Sequence, residues 1–147
     1  MNVSAHSVTL EETGFTEALS LHQRWHRLWA ECPELRTYIT TIPDSTRQAH
    51  FKVLIEGKAE GSVMVCDPIV PWPRSIELRG FALAPFCPAN TGSRAIALVA
   101  REVKRRWNDC VRLLTYAIAG GNMALYRGSS FSEVRRDGDF VLLHRAI

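Results

Sequence analysis

Apolar residues recur along this chain with two periods, close to two and close to three and a half, and the switches between them mark its elements. Ser7–Glu12 alternates apolar and polar side chains, as a half-exposed strand does, and Gly14 interrupts it. From Phe15 to about Glu31 the spacing is helical, with Phe15, Ala18, Leu19, Trp25, Leu28 and Trp29 on one stripe. The stop falls before Cys32-Pro33, because a following proline disfavours the helical conformation. Leu35–Ile42 (LRTYITTI) is β-branched and aromatic, which predicts a strand or an extended loop. Ala49–Glu56 and Gly61–Val65 predict a hairpin turning through Gly57, Lys58, Ala59 and Glu60. Asp67–Arg74 carries three prolines and reads as a loop.

The stretch Ile76–Trp107 organises the rest. An apolar strand, Ile76–Leu83, ends at Ala84-Pro85, where proline removes a ladder donor. A turn containing Pro88, Asn90, Thr91, Gly92 and Ser93 follows. Ile96, Val99, Ala100, Val103 and Trp107 then recur at helical spacing, with Arg101, Lys104, Arg105 and Arg106 largely off the stripe. A strand-turn-helix aims free backbone N–H groups and the positive end of a helix dipole at one point, which suits a phosphate. Any strand-to-helix turn shares that geometry, so an ordinary structural turn is the competing reading.

Beyond it, Val111–Ala119 (VRLLTYAIA) is a nearly continuous apolar run, as in a buried central strand, and Gly120-Gly121 ends it. Asn122–Arg127 predicts a short helix, and Phe131–Arg135 with Phe140–Arg145 a closing hairpin at Asp137-Gly138. The expected order is β-α-(β)-β-β-β-α-β-α-β-β: one α/β (α+β) domain over residues 1–147, a mixed sheet with helices on both faces.

Composition narrows the classes. The 147 residues, 46% hydrophobic and 22% charged, suit one globular domain with a proper core. A net charge of +3 permits an anionic ligand or nucleic acid and demands neither. Cys32, Cys66, Cys87 and Cys110 have no paired spacing and read as reduced thiols of a cytoplasmic protein. The first residues lack the pattern of a secretory signal, and no apolar run approaches the roughly 20 residues of a membrane span, so no membrane partner is expected. His22 and His26 stand four apart, as metal-binding histidines do, but Gln23 sits where a metalloprotease has its glutamate and no third ligand is apparent, so no metal is expected.

A hairpin, a strand, a phosphate-type turn, a long helix, a buried strand and a short helix ending in A-L-Y-x-x-x-x-F together resemble the GCN5-related N-acetyltransferases (GNAT), from about Thr9 to the end. Tyr126 and Phe131 match the tail of that family's usual motif, with Ser130 where glycine is usual and Asn122 only four residues before the tyrosine. The usual glycine-rich turn reads P-A-N-T-G-S here, with Thr91 and Ser93 at glycine positions. That departure, with Asn90, Ser93 and the acidic-Leu pair Glu77-Leu78, is similar to the phage-borne Mom-like branch of DNA-modification proteins.

The resemblance implies a mostly antiparallel sheet with a splayed central strand pair, and acetyl-CoA (or another acyl-CoA) bound between them. It implies pantetheine against Phe81, Ala82 and Leu83, pyrophosphate on Ala89, Asn90, Thr91, Gly92, Ser93 and Arg94, and Asn122 also near the coenzyme. Tyr126 is the implied acid for the leaving thiolate; the alternative is a tyrosine merely packed at a helix end. Glu77 is the candidate base; the alternative is an exposed strand carboxylate paired with Arg79. His22, Arg24, His26 and Tyr116 are candidates for the acceptor side, against a solvated helix face for the first three. The acceptor is a small-molecule or macromolecular amine. The basic positions Arg24, Arg27, Arg101, Lys104, Arg105 and Arg106, with Trp25 and Trp72 read as exposed, leave a nucleic-acid partner open, and a homodimer is open too. A non-catalytic module that has lost the coenzyme turn is the third reading.

Overall fold

The structure is a computed structural model and describes residues 7–26, 28–43, 46–118 and 123–147. The elements run β1 (Val8–Thr13), α1 (Phe15–Trp25), α2 (Pro33–Thr40), β2 (Gln48–Ile55), β3 (Lys58–Cys66), β4 (Ser75–Leu83), α3 (Thr91–Arg106), β5 (Arg112–Ile118), α4 (Met123–Gly128), β6 (Ser132–Asp137) and β7 (Phe140–Ala146). Among the described residues the strands form one sheet in the order β1-β2-β3-β4-β5-β7-β6, antiparallel at every joint except β4–β5. The expected α+β class and mostly antiparallel sheet are therefore present. No helix among the described residues is long and apolar enough to cross a membrane.

The two faces are covered by different helices. α3 turns Ala95, Ile96, Val99, Ala100 and Val103 onto Val63, Ile76, Leu78 and Leu113, all of them buried. α1 and α2 cover the opposite face, where Ala18, Leu35 and Ile39 close over Met64. α4 meets α3 where Gly92 faces Leu125: a β-carbon at position 92 would press on the end of the Leu125 side chain, which would have to shift to make room.

Two segments depart from the sequence reading. The first helix stops at Trp25 rather than near Glu31. The His26 N–H still donates to the His22 carbonyl at 2.8 Å, but the Leu28 N–H donates to His26 Nδ1 at 3.2 Å, a side-chain acceptor in place of the next helical carbonyl. Leu28 and Trp29 nonetheless reach the core, from a turn. Leu35–Ile42 is no strand: Pro33–Thr40 is helical, with Pro33 in the first turn, where its missing N–H has no partner to lose. The threonines fit because Thr37 and Thr40 donate their hydroxyls to the carbonyls of Pro33 (3.1 Å) and Arg36 (2.7 Å). The hairpin turn is also tighter than expected, with Glu56 and Gly57 both at positive φ and β3 beginning at Lys58.

Candidate functional site

The site begins where the parallel joint fails. β4 and β5 are in register only at Ser75–Arg112, Ile76–Leu113 and Glu77–Leu114, although β4 continues to Leu83 and β5 to Ile118. Opposite β3, Met64 pairs with Gly80 and Val65 with Leu78, so Arg79 is an extra residue that bulges β4. The Thr115 hydroxyl donates to the Leu78 carbonyl at 2.9 Å, standing in for the next rung. Past it the strands part and form a wedge.

A tyrosine that the sequence reading left unassigned enters this wedge. Tyr38 of α2 donates its hydroxyl to Glu77 Oε2 at 2.6 Å and accepts the Tyr116 N–H at 3.4 Å, touching both diverging strands. The Glu77 side chain is 1% exposed, so the expectation of an exposed or half-buried carboxylate is corrected. Arg79 Nε lies 2.5 Å from Oε2 and the Ile69 N–H donates to Oε1 at 3.0 Å. Arg79 also reaches the carbonyls of Tyr38 and Thr41, and its guanidinium lies 5.0 Å from the Tyr38 ring centre. Burial first, then the Glu77 charge, holds the Tyr38 phenol well above its usual range, so it stays protonated.

The far end of β4 leads under the start of α3. Phe81 and Ala82 are buried and Leu83 half-buried, while Ala89, Asn90 and Arg94 are exposed. Asn90 caps the helix in the left-handed region, at φ 70°. The Thr91 and Ser93 hydroxyls point back into the turn, donating to the carbonyls of Pro88 (2.7 Å) and Asn90 (3.1 Å). The Thr91 and Arg94 N–H groups are likewise engaged. Those of Gly92 and Ser93 have no acceptor among the described residues, which leaves two adjacent donors at the positive end of the helix. Asn122 lies outside the described residues.

Three other expected site residues converge at the mouth of the wedge. His26, Tyr116 and Tyr126 line a cavity of about 30 Å3, together with Leu28, Leu35 and Ala117. Tyr126 is 5% exposed and its ring sits edge-on to Phe131 at 5.4 Å. Because His26 Nδ1 accepts the Leu28 N–H, its neutral ring carries the proton on Nε2. Arg24 lies 5.9 Å over the Trp25 ring and does not line the cavity.

His22 sits behind this wall rather than on it. Its ring stacks on His26 at 4.7 Å and meets Trp29 at 5.8 Å, with both nitrogens buried and without a hydrogen-bond partner among the described residues. Burial, and then His26, pushes its pKa down to about 3. In the unfolded chain the imidazole returns to about 6.5. The unfolded state therefore binds a proton that the native state refuses, and stability falls as pH drops below that value. Unfolding free energies from urea denaturation between pH 7.5 and 5 should fall more steeply for the wild type than for His22→Leu, by up to about 1.4 kcal/mol per pH unit. His50, also lowered by burial, adds a slope of the same sign to both proteins. Parallel slopes would show that His22 is not held neutral.

The basic positions are largely engaged within the chain. Arg106 pairs with Glu12 and Glu102, Arg105 with Glu102 at 2.7 Å, and Lys104 donates to the Cys110 carbonyl at 2.9 Å. Trp25 and Trp72 are half-buried, not exposed: Trp25 packs edge-on to Phe86 and Trp72 lies under Arg112. Arg27 lies outside the described residues.

No family model matches the chain, and no curated protein matches it. Solved structures do. An acyl-CoA N-acyltransferase from Pseudomonas aeruginosa superposes with a TM-score of 0.68 at 16% identity, covering 97% of this chain and 100% of that one. A GNAT family acetyltransferase from Elizabethkingia anophelis, crystallised with acetyl-CoA, gives 0.64 at 14% identity, covering 95% and 98%. An N-acetyltransferase from Campylobacter jejuni gives 0.61 at 17%, covering 95% and 97%. Over nearly its whole length, the chain has the fold of the GNAT acetyltransferases.

Proposed function

We propose that the protein is an acyl-CoA-dependent N-acyltransferase that moves acetyl from acetyl-CoA to a primary amine. The observation that carries this reading is the three-residue joint between β4 and β5, opening into a wedge that ends beneath two spare N–H groups of α3. The thioester supplies the activated acyl carbon. The β4 edge at Phe81–Leu83 holds the pantetheine amides. Gly92 and Ser93 N–H groups, with the exposed Arg94 guanidinium and the Ala89–Asn90 turn, hold the pyrophosphate. Thr91 and Ser93 act by shaping the turn, since their hydroxyls are engaged within it.

Tyr126 protonates the leaving thiolate from the wall of the small cavity. The amine proton leaves through Tyr38: its hydroxyl oxygen accepts the proton while its own passes to Glu77 Oε2, 2.6 Å away. Glu77 thus serves as base through a tyrosine, not by direct contact. Tyr116 and the His26 Nε2–H line the acceptor side, and His22 supports His26 by stacking. The Mom-like DNA-modifying alternative shares the fold, but the paired arginines of α3 and the half-buried tryptophans lend it no observation of its own.

Isothermal titration with acetyl-CoA tests the reading. Micromolar binding is expected, and Ser93→Arg, which pushes a long side chain into the turn, should remove it. Absence of binding by the wild type would leave the non-catalytic module as the better account.

A further inference from the structure

The geometry points to a small primary amine carried on an apolar, ring-sized body, without a carboxylate, as the acceptor. This rests on the acyltransferase reading and concerns a second, open groove of about 350 Å3 on the α2 side of the sheet. The groove and the small cavity beside Tyr126 share Tyr116 as a common wall, so an amine seated in the groove faces the wedge. That volume lies at the lower end for small-molecule sites, room for one ring and a short tail.

Its walls are chemically one-sided. Tyr38, Tyr116 and Phe140 present ring edges and faces, with Tyr38 5.7 Å from Tyr116 and 6.4 Å from Phe140, both steeply inclined. Ile69, 46% exposed, adds an aliphatic side from the loop before β4. An aromatic or alkyl body gains edge-on contacts there. A peptide would instead lay its amides against a wall with few polar partners for them.

The charged residues lining the groove are both acidic, Glu34 and Asp137. The nearby Arg135 is already engaged, with Nε 3.0 Å from Asp137 Oδ2 and its outer nitrogen donating to the Tyr116 hydroxyl at 3.3 Å. Among the described residues, Glu34 has only the Cys32 thiol, at 3.6 Å, as a partner. An ammonium is therefore drawn to the Glu34 edge, while the carboxylate of an amino acid meets like charge and no guanidinium among the described residues that line the groove. Tyr38 joins recognition to chemistry, since the ring that walls the groove bears the hydroxyl held by Glu77.

The test compares 2-phenylethylamine with phenylalanine as acetyl acceptors for the full chain, with acetyl-CoA affinity measured separately. The amine should be used at least about tenfold better in kcat/KM. Ile69→Arg, which puts a cation into the groove from an exposed loop, should lower that value by about tenfold or more, and Glu34→Gln by a few-fold, with acetyl-CoA affinity unchanged. Equal use of phenylalanine, or indifference to Ile69→Arg, would overturn the assignment while leaving the acyltransferase reading intact. Should acetyl-CoA itself fail to bind, titration of 2-phenylethylamine followed by NMR decides the groove alone. Binding lost in Ile69→Arg upholds an amine site there; no binding overturns it.

Discussion

Replacing Glu77 with alanine is expected to lower the unfolding free energy by about 3–5 kcal/mol, the scale for removing one partner of a buried ion pair. Arg79 is buried with it, and the variant would strand a guanidinium that cannot deprotonate in place. The Tyr38 hydroxyl and the Ile69 N–H lose their acceptor in the same change. Glu77→Gln should cost less, because it keeps an acceptor oxygen and the shape. Removing both charges, as in Glu77→Leu with Arg79→Met, should recover much of the loss, since two apolar groups of similar volume often replace a buried pair at little cost. Urea denaturation of the three variants reads this directly. A loss below about 1 kcal/mol for Glu77→Ala would mean that solvent reaches the pair.

Tyr126→Phe is expected to lower kcat by about two to three orders of magnitude with acetyl-CoA affinity retained, the usual contribution of a positioned acid. The substitution removes one oxygen and leaves the ring on Phe131, so stability should stay within about 1 kcal/mol of wild type. Turnover with a pre-activated acyl donor whose leaving group needs no proton should suffer much less than turnover with the thioester. Equal loss on both donors would mark Tyr126 as a residue that shapes the pocket, and unchanged kcat would end its assignment as the acid.

Most of the fold was legible because its long elements obey one period throughout. The α3 stripe from Ile96 to Val103 and the nearly continuous apolar run of β5 each have one plausible environment, and each is found in it. α2 was misread because composition and period conflict there. Its threonines, isoleucine and tyrosine favour a strand, whereas Leu35, Tyr38 and Ile39 fall at helical spacing. The period was the better guide, since Pro33 starts the helix and the threonine hydroxyls find carbonyls one turn back. That error hid Tyr38, for a side chain on a misassigned strand cannot be aimed at anything.

The site was legible in part. His26, Tyr116 and Tyr126, all candidates from the sequence, line one cavity, but the motif itself points only to Tyr126. Glu77 stands out in the sequence, but its partners lie 39 residues back at Tyr38, two ahead at Arg79 and eight back at Ile69, and only the nearest is visible locally. The open groove was invisible for the same reason: Glu34 of α2, Ile69 of the loop before β4, Tyr116 of β5 and Asp137 of β6 meet only in the folded chain.

The brevity of the β4–β5 joint has a mechanical meaning. Antiparallel pairing ties β1 through β4 into one leaf and β5, β7 and β6 into another, with seven registered pairs between β5 and β7 against three across the seam. The seam is thus the compliant line of an otherwise stiff sheet, and Tyr38 is the cross-pin that bridges it from outside. A guest lying in the opening would fasten both leaves along a length the backbone leaves unjoined. A ligand bound there should therefore raise the cohesion of the whole sheet, read as a higher unfolding temperature on its addition.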